Sequence, residues 1–392
     1  MVPAEEPLVV EVPLPPFRLE AGAALLRPRA RVWFWGTKEE HTRLAEGEPL
    51  TDVPEEVRRT VCIMHTLTGA LDPRESFPEL FGRSRPLRPW ADRIVAVGLL
   101  GSRHDPTGPG SGTFPTREAD TRHPPPDPIS RGAATFPESR LPATVTPWDQ
   151  ARAADLALRR LGLTRIDLAF GASLGGMVAL ALAALMGERM IRALVVAAPF
   201  ASSAWVLAHD HVVREALLAD PEFPHGTRTA RLARQIGFFG YRGREALIAR
   251  QGRETAGRRH EHRVPWNPRM PYRIESYFRH LGEGPQPDPR CTVALLGAMD
   301  HHDLGRTPPS APDGPPMADR IRAHVTCASV SSDTFVRPEE VEALAHRLPH
   351  ASYRSIASDF GHDGFLVEKA RIARLVRDAA TSVDSAGRSR KG

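Results

Sequence analysis

The hydrophobic pattern between residues 166 and 187 is the most informative in the chain. An apolar run at 168–170 is followed by Gly-Ala-Ser-Leu-Gly at 171–175, and then by small apolar residues without a breaker until Gly187. A short apolar run next to glycine is typical of a buried strand, and a longer uninterrupted run indicates a buried helix. This stretch therefore predicts a strand, a very tight turn and a helix.

Other apolar runs predict further strands and helices on both sides of this turn. Short apolar or β-branched runs predict strands at 31–35, 59–64, 93–97, 193–198, 325–330 and 352–356. Apolar residues that recur every three or four positions predict helices at 148–161, 338–348 and 372–380. Strands that alternate with helices are typical of a mainly parallel sheet covered by helices on both faces.

The pattern changes between residues 200 and 320, where helical segments alternate with basic and Pro-rich stretches and no clear strand can be identified. This predicts a helical lid insertion over the active end of the sheet. We therefore predict an α/β core at 1–199 and 321–384, a helical lid insertion at 200–320 and a tail at 385–392. Residues 103–143 are dense in Pro, Gly and Ser, which predicts a long surface loop.

The composition restricts the possible functions. With 392 residues, 41% of them hydrophobic and 25% charged, the chain fits a soluble protein with one large domain plus an insertion, or two domains. The net charge is +5, and 49 of the 52 basic residues are arginine. These arginines are spread among 47 acidic residues without a recognition motif, so nucleic-acid binding is not expected.

The sequence also indicates where the protein works. The longest apolar run, at 177–186, is too short to cross a membrane, and the first residues lack the basic and apolar segments of a signal peptide. Three cysteines without metal-binding spacing fit a reducing compartment: Cys62, Cys291 and Cys327. We therefore expect a cytoplasmic protein that does not bind membranes.

The turn at 171–175 has the G-x-S-x-G spacing of a nucleophile elbow. In that motif the serine, here Ser173, lies in a strained backbone conformation that exposes its hydroxyl above the sheet. The N–H of Leu174 then lies at a helix N-terminus, where it can stabilise an oxyanion. An incidental serine in a Gly-rich turn is the alternative, but the predicted strand and helix are the context that the motif requires.

A nucleophilic serine needs a general base and a carboxylate that orients the base. In this architecture they follow in the order serine, acid, histidine. Asp333 comes after the strand at 325–330, and His362 comes after the strand at 352–356. Because open α/β sheets build their sites at the carboxyl ends of strands, we predict a Ser173–Asp333–His362 triad.

The second oxyanion donor is expected from the loop after an early strand. His-Thr-Leu-Thr-Gly at 65–69 lies in that place, and we predict the backbone N–H of Leu67 as the donor. An ordinary turn at the end of a strand is the alternative.

A spaced set of motifs resembles the homoserine O-acetyltransferase family of α/β-hydrolase-fold acyltransferases. The resemblance extends from Phe17 to Lys369 and implies the α/β-hydrolase fold. Besides the elbow and its following Gly-Gly-Met, the matching stretches lie at 65–69, 107–111, 232–242, 301–306 and 361–366.

The resemblance implies a ping-pong reaction. Ser173 would attack the thioester of acetyl-CoA, or of another short acyl-CoA, and form an acyl-enzyme. The side-chain hydroxyl of L-homoserine would then accept the acyl group with His362 as the base, a reaction of methionine biosynthesis. The acyl-CoA is a co-substrate, no bound cofactor or metal is expected, and the family suggests a homodimer built through the lid.

Two further residues match the substrate-binding residues of the family. Arg242 matches the arginine that holds the carboxylate of the amino acid, and a guanidinium fork suits a carboxylate. Asp363 matches the acid that meets the substrate ammonium. An esterase has no use for such a pair, so Arg242 and Asp363 favour a transferase.

The sequence departs from the family in the lid and in the pocket walls. Residues 284–290 are shorter and Pro-rich, residues 102–109 lack small residues before Thr-Gly-Pro, and Gly364 replaces an alanine. These departures leave a serine O-acyltransferase, or an esterase in which water resolves the acyl-enzyme, as alternatives. A non-enzymatic scaffold is a third, against which the complete triad argues.

Two histidine pairs raise the question of a metal site. They are His209 with His211, and His301 with His302. No third and fourth ligands follow at useful spacing, so neither pair predicts metal binding. We expect Asp303 and Arg306, in the same stretch as the second pair, to be structural.

Overall fold

The structure is a computed structural model of the chain. It describes residues 4–51, 58–82, 86–87, 90–116, 141–253, 271–284 and 287–381. The predicted tail at 385–392 and a large part of the predicted loop at 103–143 lie outside the described residues.

Ten strands are found in the described chain. They are β1 (Leu8–Pro13), β2 (Phe17–Arg18), β3 (Ala24–Leu25), β4 (Arg29–Trp35), β5 (Thr60–Met64), β6 (Arg93–Val97), β7 (Leu168–Ala172), β8 (Arg192–Val196), β9 (His324–Val330) and β10 (Ala351–Ile356). Eight of them form one sheet in the order β1-β4-β6-β5-β7-β8-β9-β10, and β2 pairs with β3 separately. The six strands β6, β5, β7, β8, β9 and β10 pair in parallel, whereas β4 pairs antiparallel with both of its neighbours, β1 and β6, near one edge.

Thirteen α-helices are found in the described chain. They are α1 (Lys38–Ala45), α2 (Pro73–Ser76), α3 (Pro147–Arg160), α4 (Leu174–Met186), α5 (Ala204–Leu218), α6 (Thr227–Tyr241), α7 (Arg244–Gln251), α8 (Arg273–Glu283), α9 (Pro289–Asp300), α10 (Met317–Arg320), α11 (Pro338–Arg347), α12 (Gly364–Val367) and α13 (Lys369–Thr381). The central helix α4 is buried at every residue except Leu185, as its continuous apolar run predicts.

The central strands are buried on both sides because each face of the sheet packs against helices. In β5, Val61 and Ile63 pack in one core cluster with residues of α13, while Cys62 and Met64 pack in another with residues of α3 and α4. Successive side chains of a strand point to opposite faces, so a strand covered on both sides is apolar throughout. This explains why β5 reads as a continuous apolar run.

Between β8 and β9 the described residues form helices and no strand. We use "the lid" for helices α5 to α9, residues 204–300. In the lid, α6 packs against α5 and α8, while α9 packs against α5 and against α4 of the core. The strand predicted at 193–198 ends earlier, at Val196, because Ala197 has a φ of 49° that regular strands do not allow.

Candidate active site

Ser173 lies at the sharp turn between β7 and α4. Its φ of 53° and ψ of −126° lie outside the regions that a non-glycine residue ordinarily adopts. Its backbone N–H donates a hydrogen bond of 2.8 Å to the carbonyl of Val196 in β8, which helps to hold the turn. This is the strained conformation expected of a nucleophile elbow.

Close backbone packing explains the two glycines of the elbow. A Cβ atom on Gly171 would overlap the carbonyl oxygen of Gly175 across the turn. A Cβ atom on Gly175 would overlap the carbonyl oxygen of Met64 at the end of β5. Glycine at both positions therefore lets α4 start directly against β7 and against the loop after β5.

The three predicted triad residues lie together. His362, in a single 3₁₀ turn at Gly361–Asp363, has its Nδ1 atom 2.7 Å from Oδ2 of Asp333. Its Nε2 atom is 2.8 Å from Oγ of Ser173. A carboxylate can only accept, so Nδ1–H donates to Asp333, which leaves Nε2 to accept from the serine hydroxyl.

Asp333 is fixed by hydrogen bonds as well as by burial. It follows the end of β9, and its Oδ1 atom accepts the backbone N–H groups of Phe335 at 2.9 Å and Val336 at 3.0 Å. The second carboxylate oxygen is therefore free to accept from His362. Such a buried and anchored carboxylate is suited to orient an imidazole.

His362 is held in surroundings that favour its charged form. Burial opposes the charge, but the charge of Asp333, its hydrogen bond, and the charges of Asp363 and Asp210 together raise the pKa of His362 above its ordinary value. The ring of Phe335 packs at 5.0 Å from the imidazole. The site can therefore stabilise an imidazolium once a proton is taken up.

The loop after β5 is tied down by His65. This buried imidazole donates from Nδ1 to the carbonyl of Thr66 at 2.8 Å and accepts the N–H of Leu99 on Nε2 at 3.1 Å. Burial lowers the pKa of His65 to about 3, so the ring is neutral and both bonds persist. Leu67 follows in this loop, and Leu174 is the first residue of α4.

A cavity of about 410 Å³ lies beside the triad. Leu67 and Thr68 from the loop after β5 line it, and so does Asp363, which directly follows His362. On the lid side it is lined by residues of α5 and α6, including Tyr241, whose ring lies 5.7 Å from the imidazole of His362. The structure thus brings the predicted donor Leu67 to a wall of this cavity.

Arg242 and Asp363 both line this cavity and contact each other. Nη1 of Arg242 is 3.2 Å from Oδ2 of Asp363, and the guanidinium lies 5.3 Å from the ring of Phe238. The Nε atom of Arg242 is buried and has no hydrogen-bond partner among the described residues. Burial raises the pKa of Asp363, although the charges of Arg242 and His362 act against it.

Asp210 of α5 is a buried acid that the sequence reasoning missed. Burial raises its pKa to about 6, and its Oδ2 atom has no hydrogen-bond partner within the described chain. His209, considered above only as a metal ligand, has its Nδ1 atom 3.2 Å from Oδ1 of Asp210. The signal was present, because Asp210 falls on the buried face of α5 with Val206 and Val213.

Arg306, which is predicted to be structural, follows the lid. Its guanidinium donates two hydrogen bonds of 2.8 and 2.6 Å to the buried carboxylate of Glu20. His302 contacts the carbonyl of Pro199 at 2.8 Å. Across the described ranges, no cluster of three or more His, Cys, Asp or Glu side chains could hold a metal ion.

Comparisons with known proteins identify the family. The family model described as the alpha/beta hydrolase fold matches residues 59–369. The homoserine O-acetyltransferase of Deinococcus radiodurans is 31% identical over 308 residues, which cover 78% of this chain and 78% of that protein. The chain belongs to the homoserine O-acetyltransferase family. The homoserine O-acetyltransferase of Nostoc punctiforme is 27% identical, and the match covers 92% of this chain and 93% of that protein.

Solved structures show the same fold. The homoserine O-acetyltransferase of Staphylococcus aureus superposes with a TM-score of 0.67 at 20% identity, over 98% of both chains. Esterase E22 superposes with a TM-score of 0.69 at 13% identity, over 95% of this chain and all of its own. The predicted α/β-hydrolase fold and the resemblance to the homoserine O-acetyltransferase family are thus confirmed, and the chain is an enzyme of an acyltransferase family.

None of the helices in the described parts of the chain combines the length and the apolar character that crossing a membrane requires.

Proposed function

We propose that the protein is an acyl-CoA-dependent O-acyltransferase that transfers an acetyl group from acetyl-CoA to the side-chain hydroxyl of L-homoserine. One observation carries this proposal beyond family membership. Arg242 and Asp363 present opposite charges to the same cavity, directly beside His362. An amino acid carries both a carboxylate and an ammonium group, and each finds a complementary partner there.

The first half-reaction acylates Ser173. His362 takes the hydroxyl proton on Nε2 while Oγ attacks the thioester carbonyl, and Asp333 stabilises the imidazolium that results. The backbone N–H groups of Leu67 and Leu174 stabilise the oxyanion. The C–S bond then breaks, and His362 returns the proton to the leaving CoA thiolate.

The second half-reaction uses the same triad, with the substrate hydroxyl in place of Ser173 as the nucleophile. Arg242 binds the substrate carboxylate through its guanidinium, and Asp363 binds the ammonium. His362 removes the proton of the substrate hydroxyl while the hydroxyl oxygen attacks the acyl-enzyme, and it returns this proton to Oγ of Ser173 as the ester bond to Ser173 breaks. Before the amino acid binds, the ion pair between Arg242 and Asp363 neutralises the charges of both side chains.

We also infer a cytoplasmic homodimer. The support for a dimer is an apolar strip on α5, where Trp205 and Val212, seven residues apart on one face, are 63% and 50% exposed. Trp205→Glu is expected to shift the sedimentation equilibrium of the protein toward monomer. A purely monomeric wild-type protein would contradict the dimer.

Intact-protein mass spectrometry tests the proposed function. Incubation with acetyl-CoA is expected to add one acetyl group to the protein, and L-homoserine is expected to remove it with formation of O-acetylhomoserine. Discharge by L-serine alone would establish the serine O-acyltransferase alternative. Discharge by water at the same rate with and without amino acids would establish the esterase alternative.

A further inference from the structure

The lid touches the segment that carries His362 through backbone atoms. We use "the His362 turn" for this segment, residues 359–363. Gly243 lies at the corner between α6 and α7, and a Cβ atom on it would overlap the carbonyl oxygen of Asp359. A Cβ atom on Gly361 would likewise overlap the backbone nitrogen of Gly243. The two backbones therefore leave no room for a side chain at either glycine.

The close approach, rather than the backbone conformation, explains the glycine at position 243. Its φ of −68° and ψ of 134° lie in an ordinary region that other residues adopt readily. Another residue could therefore follow the same path of the chain, but its side chain would have to push the two backbones apart. A side chain at this position would act as a wedge between the lid and the His362 turn.

Two side-chain contacts join the lid to the same turn near Gly243. Nη1 of Arg242 is 3.2 Å from Oδ2 of Asp363. The guanidinium of Arg250 in α7 lies 4.4 Å from the centre of the Phe360 ring. The pair that would bind the amino acid is thus shared between the two parts, because Arg242 belongs to the lid and Asp363 to the turn. Its geometry depends on how closely the lid and the turn approach each other.

The His362 turn is held by the core, whereas the lid corner is more exposed. The N–H of Gly361 donates a hydrogen bond of 2.9 Å to Oγ of Ser332. Asp333, the next residue of that loop, lies 2.7 Å from Nδ1 of His362. None of the residues of α7, all of which are described, is buried. A wedge at Gly243 is therefore expected to move the lid corner and to leave the triad in place.

We propose that Gly243 is a positioning residue that sets the distance between Arg242 and His362, and so favours acyl transfer to an amino acid over transfer to water. This inference rests on the proposed function and concerns the choice of its acceptor. An amino acid bound at Arg242 must also reach the acyl group on Ser173 with its hydroxyl, and the number of bonds between its carboxylate and its hydroxyl is fixed. A displacement of about 1 Å can lower the rate about 100-fold. Water does not use Arg242, so its attack tolerates the displacement.

The two fates of the acetyl-enzyme test this inference by intact-protein mass spectrometry. Gly243→Ala is expected to slow the discharge of the acetyl group by L-homoserine by about tenfold or more. Formation of the adduct from acetyl-CoA and its discharge by water are expected to change by less than about twofold, because neither step uses Arg242. Gly297→Ala is the matched control, since a Cβ atom on this lid glycine would lie in open space, and all three rates should stay unchanged.

A double variant shows whether Gly243 acts through Arg242. If it does, Gly243→Ala added to Arg242→Ala is expected to slow discharge by L-homoserine by less than about twofold further. Two losses that multiply would mean that Gly243 acts independently of Arg242, and this result would overturn the inference.

Arg250→Ala supplies a second test if Gly243→Ala does not fold. It removes the contact with Phe360 without placing an atom between the backbones, and it is expected to slow discharge by L-homoserine about threefold with adduct formation unchanged. Arg244→Ala, on the same helix and 77% exposed at its side chain, is its control. Equal rates of discharge by L-homoserine in these two variants would overturn the inference.

Two results with Gly243→Ala would also overturn the inference. One is discharge by L-homoserine at the wild-type rate, and the other is an equal loss in adduct formation and in discharge. Failure of the proposed function shows in the wild-type protein instead, as an adduct that amino acids discharge no faster than water does. This inference would then be overturned as well.

Discussion

The sheet core and the lid contribute differently to the same site. In the core, Ile63 of β5 is 2% exposed, whereas Ile248 in α7 of the lid is 54% exposed. In the proposed reaction, the core supplies the nucleophile, the base and the acid at the carboxyl ends of buried strands. The lid supplies Arg242 and the other residues of α6 that line the cavity. Under the proposed function, the catalytic groups come from the buried core, while the substrate is bound between Asp363 of the core and residues of the more exposed lid.

The largest expected effect comes from removing the nucleophile of the core. Ser173→Ala is expected to lower kcat by about 10⁶-fold, because it removes the hydroxyl that lies 2.8 Å from Nε2 of His362. Ser203→Ala, at the start of the lid, removes a buried hydroxyl that has no hydrogen-bond partner in the described chain and should leave kcat unchanged. An acetyl adduct that forms normally on Ser173→Ala would mean that the nucleophile is another residue.

The second-largest expected difference between the core and the lid is in the loss of unfolding free energy when a side chain is truncated. Ile63→Ala removes a buried side chain from the central strand and is expected to cost about 2–5 kcal/mol of unfolding free energy. Ile248→Ala removes the same atoms from an exposed face of the lid and is expected to change stability by less than about 0.5 kcal/mol. Urea unfolding of both variants measures this difference. Equal losses would show that the lid and the core are stabilised alike.

Arg242→Ala should affect acceptor use without affecting acylation. Loss of a charged hydrogen-bonding partner is expected to lower kcat/KM for the amino acid by roughly 10- to 100-fold. The rate of acyl-enzyme formation from acetyl-CoA should stay nearly unchanged. Arg244→Ala, two residues away and 77% exposed at its side chain, is the matched control. Equal losses in both half-reactions would contradict a role in binding the substrate carboxylate.

The smallest expected effect is on the pH dependence. His362 must be neutral to act as a base, so the acylation rate should fall as the pH drops below the pKa of His362. Because this pKa is raised, the fall should occur at a higher pH than the ordinary histidine pKa would give. Asp210→Asn removes a negative charge that helps to raise this pKa, so the fall should move to lower pH. The measurement is the acylation rate against pH for both proteins. A fall that stays in place or moves to higher pH would contradict this influence of Asp210.

The core could be predicted from the sequence because its signals are local. The apolar run of β7, the two glycines and the continuous helix α4 are consecutive, and the order of Ser173, Asp333 and His362 follows from the architecture. Helix α1 was missed although Thr37 and Glu40 form a capping box, a signal that can be recognised in a sequence. The antiparallel pairing of β4 with β1 and β6 was not predicted, because apolar runs do not specify strand direction.

The cavity could not be predicted, because its walls combine residues that are far apart in the chain. Leu67, Ala233 and Asp363 meet only after the sheet and the lid have packed together. Matching to the family selected Arg242 and Asp363 as substrate residues, but no pattern in the sequence indicated that they contact each other. The sequence also did not indicate that Ala233 and Ala230 of α6 line the same cavity as Arg242. Substrate choice depends on this tertiary arrangement, which is why the sequence left the acceptor and the acyl chain open.

Acceptor-dependent release of CoA tests the central claim most directly. Purified protein is incubated with acetyl-CoA and with L-homoserine, L-serine or no acceptor, and the free thiol is measured over time. Strong stimulation by L-homoserine, with equal amounts of CoA and O-acetylhomoserine formed, is the predicted result. Slow release at one rate in all three incubations would contradict acyl transfer to an amino acid.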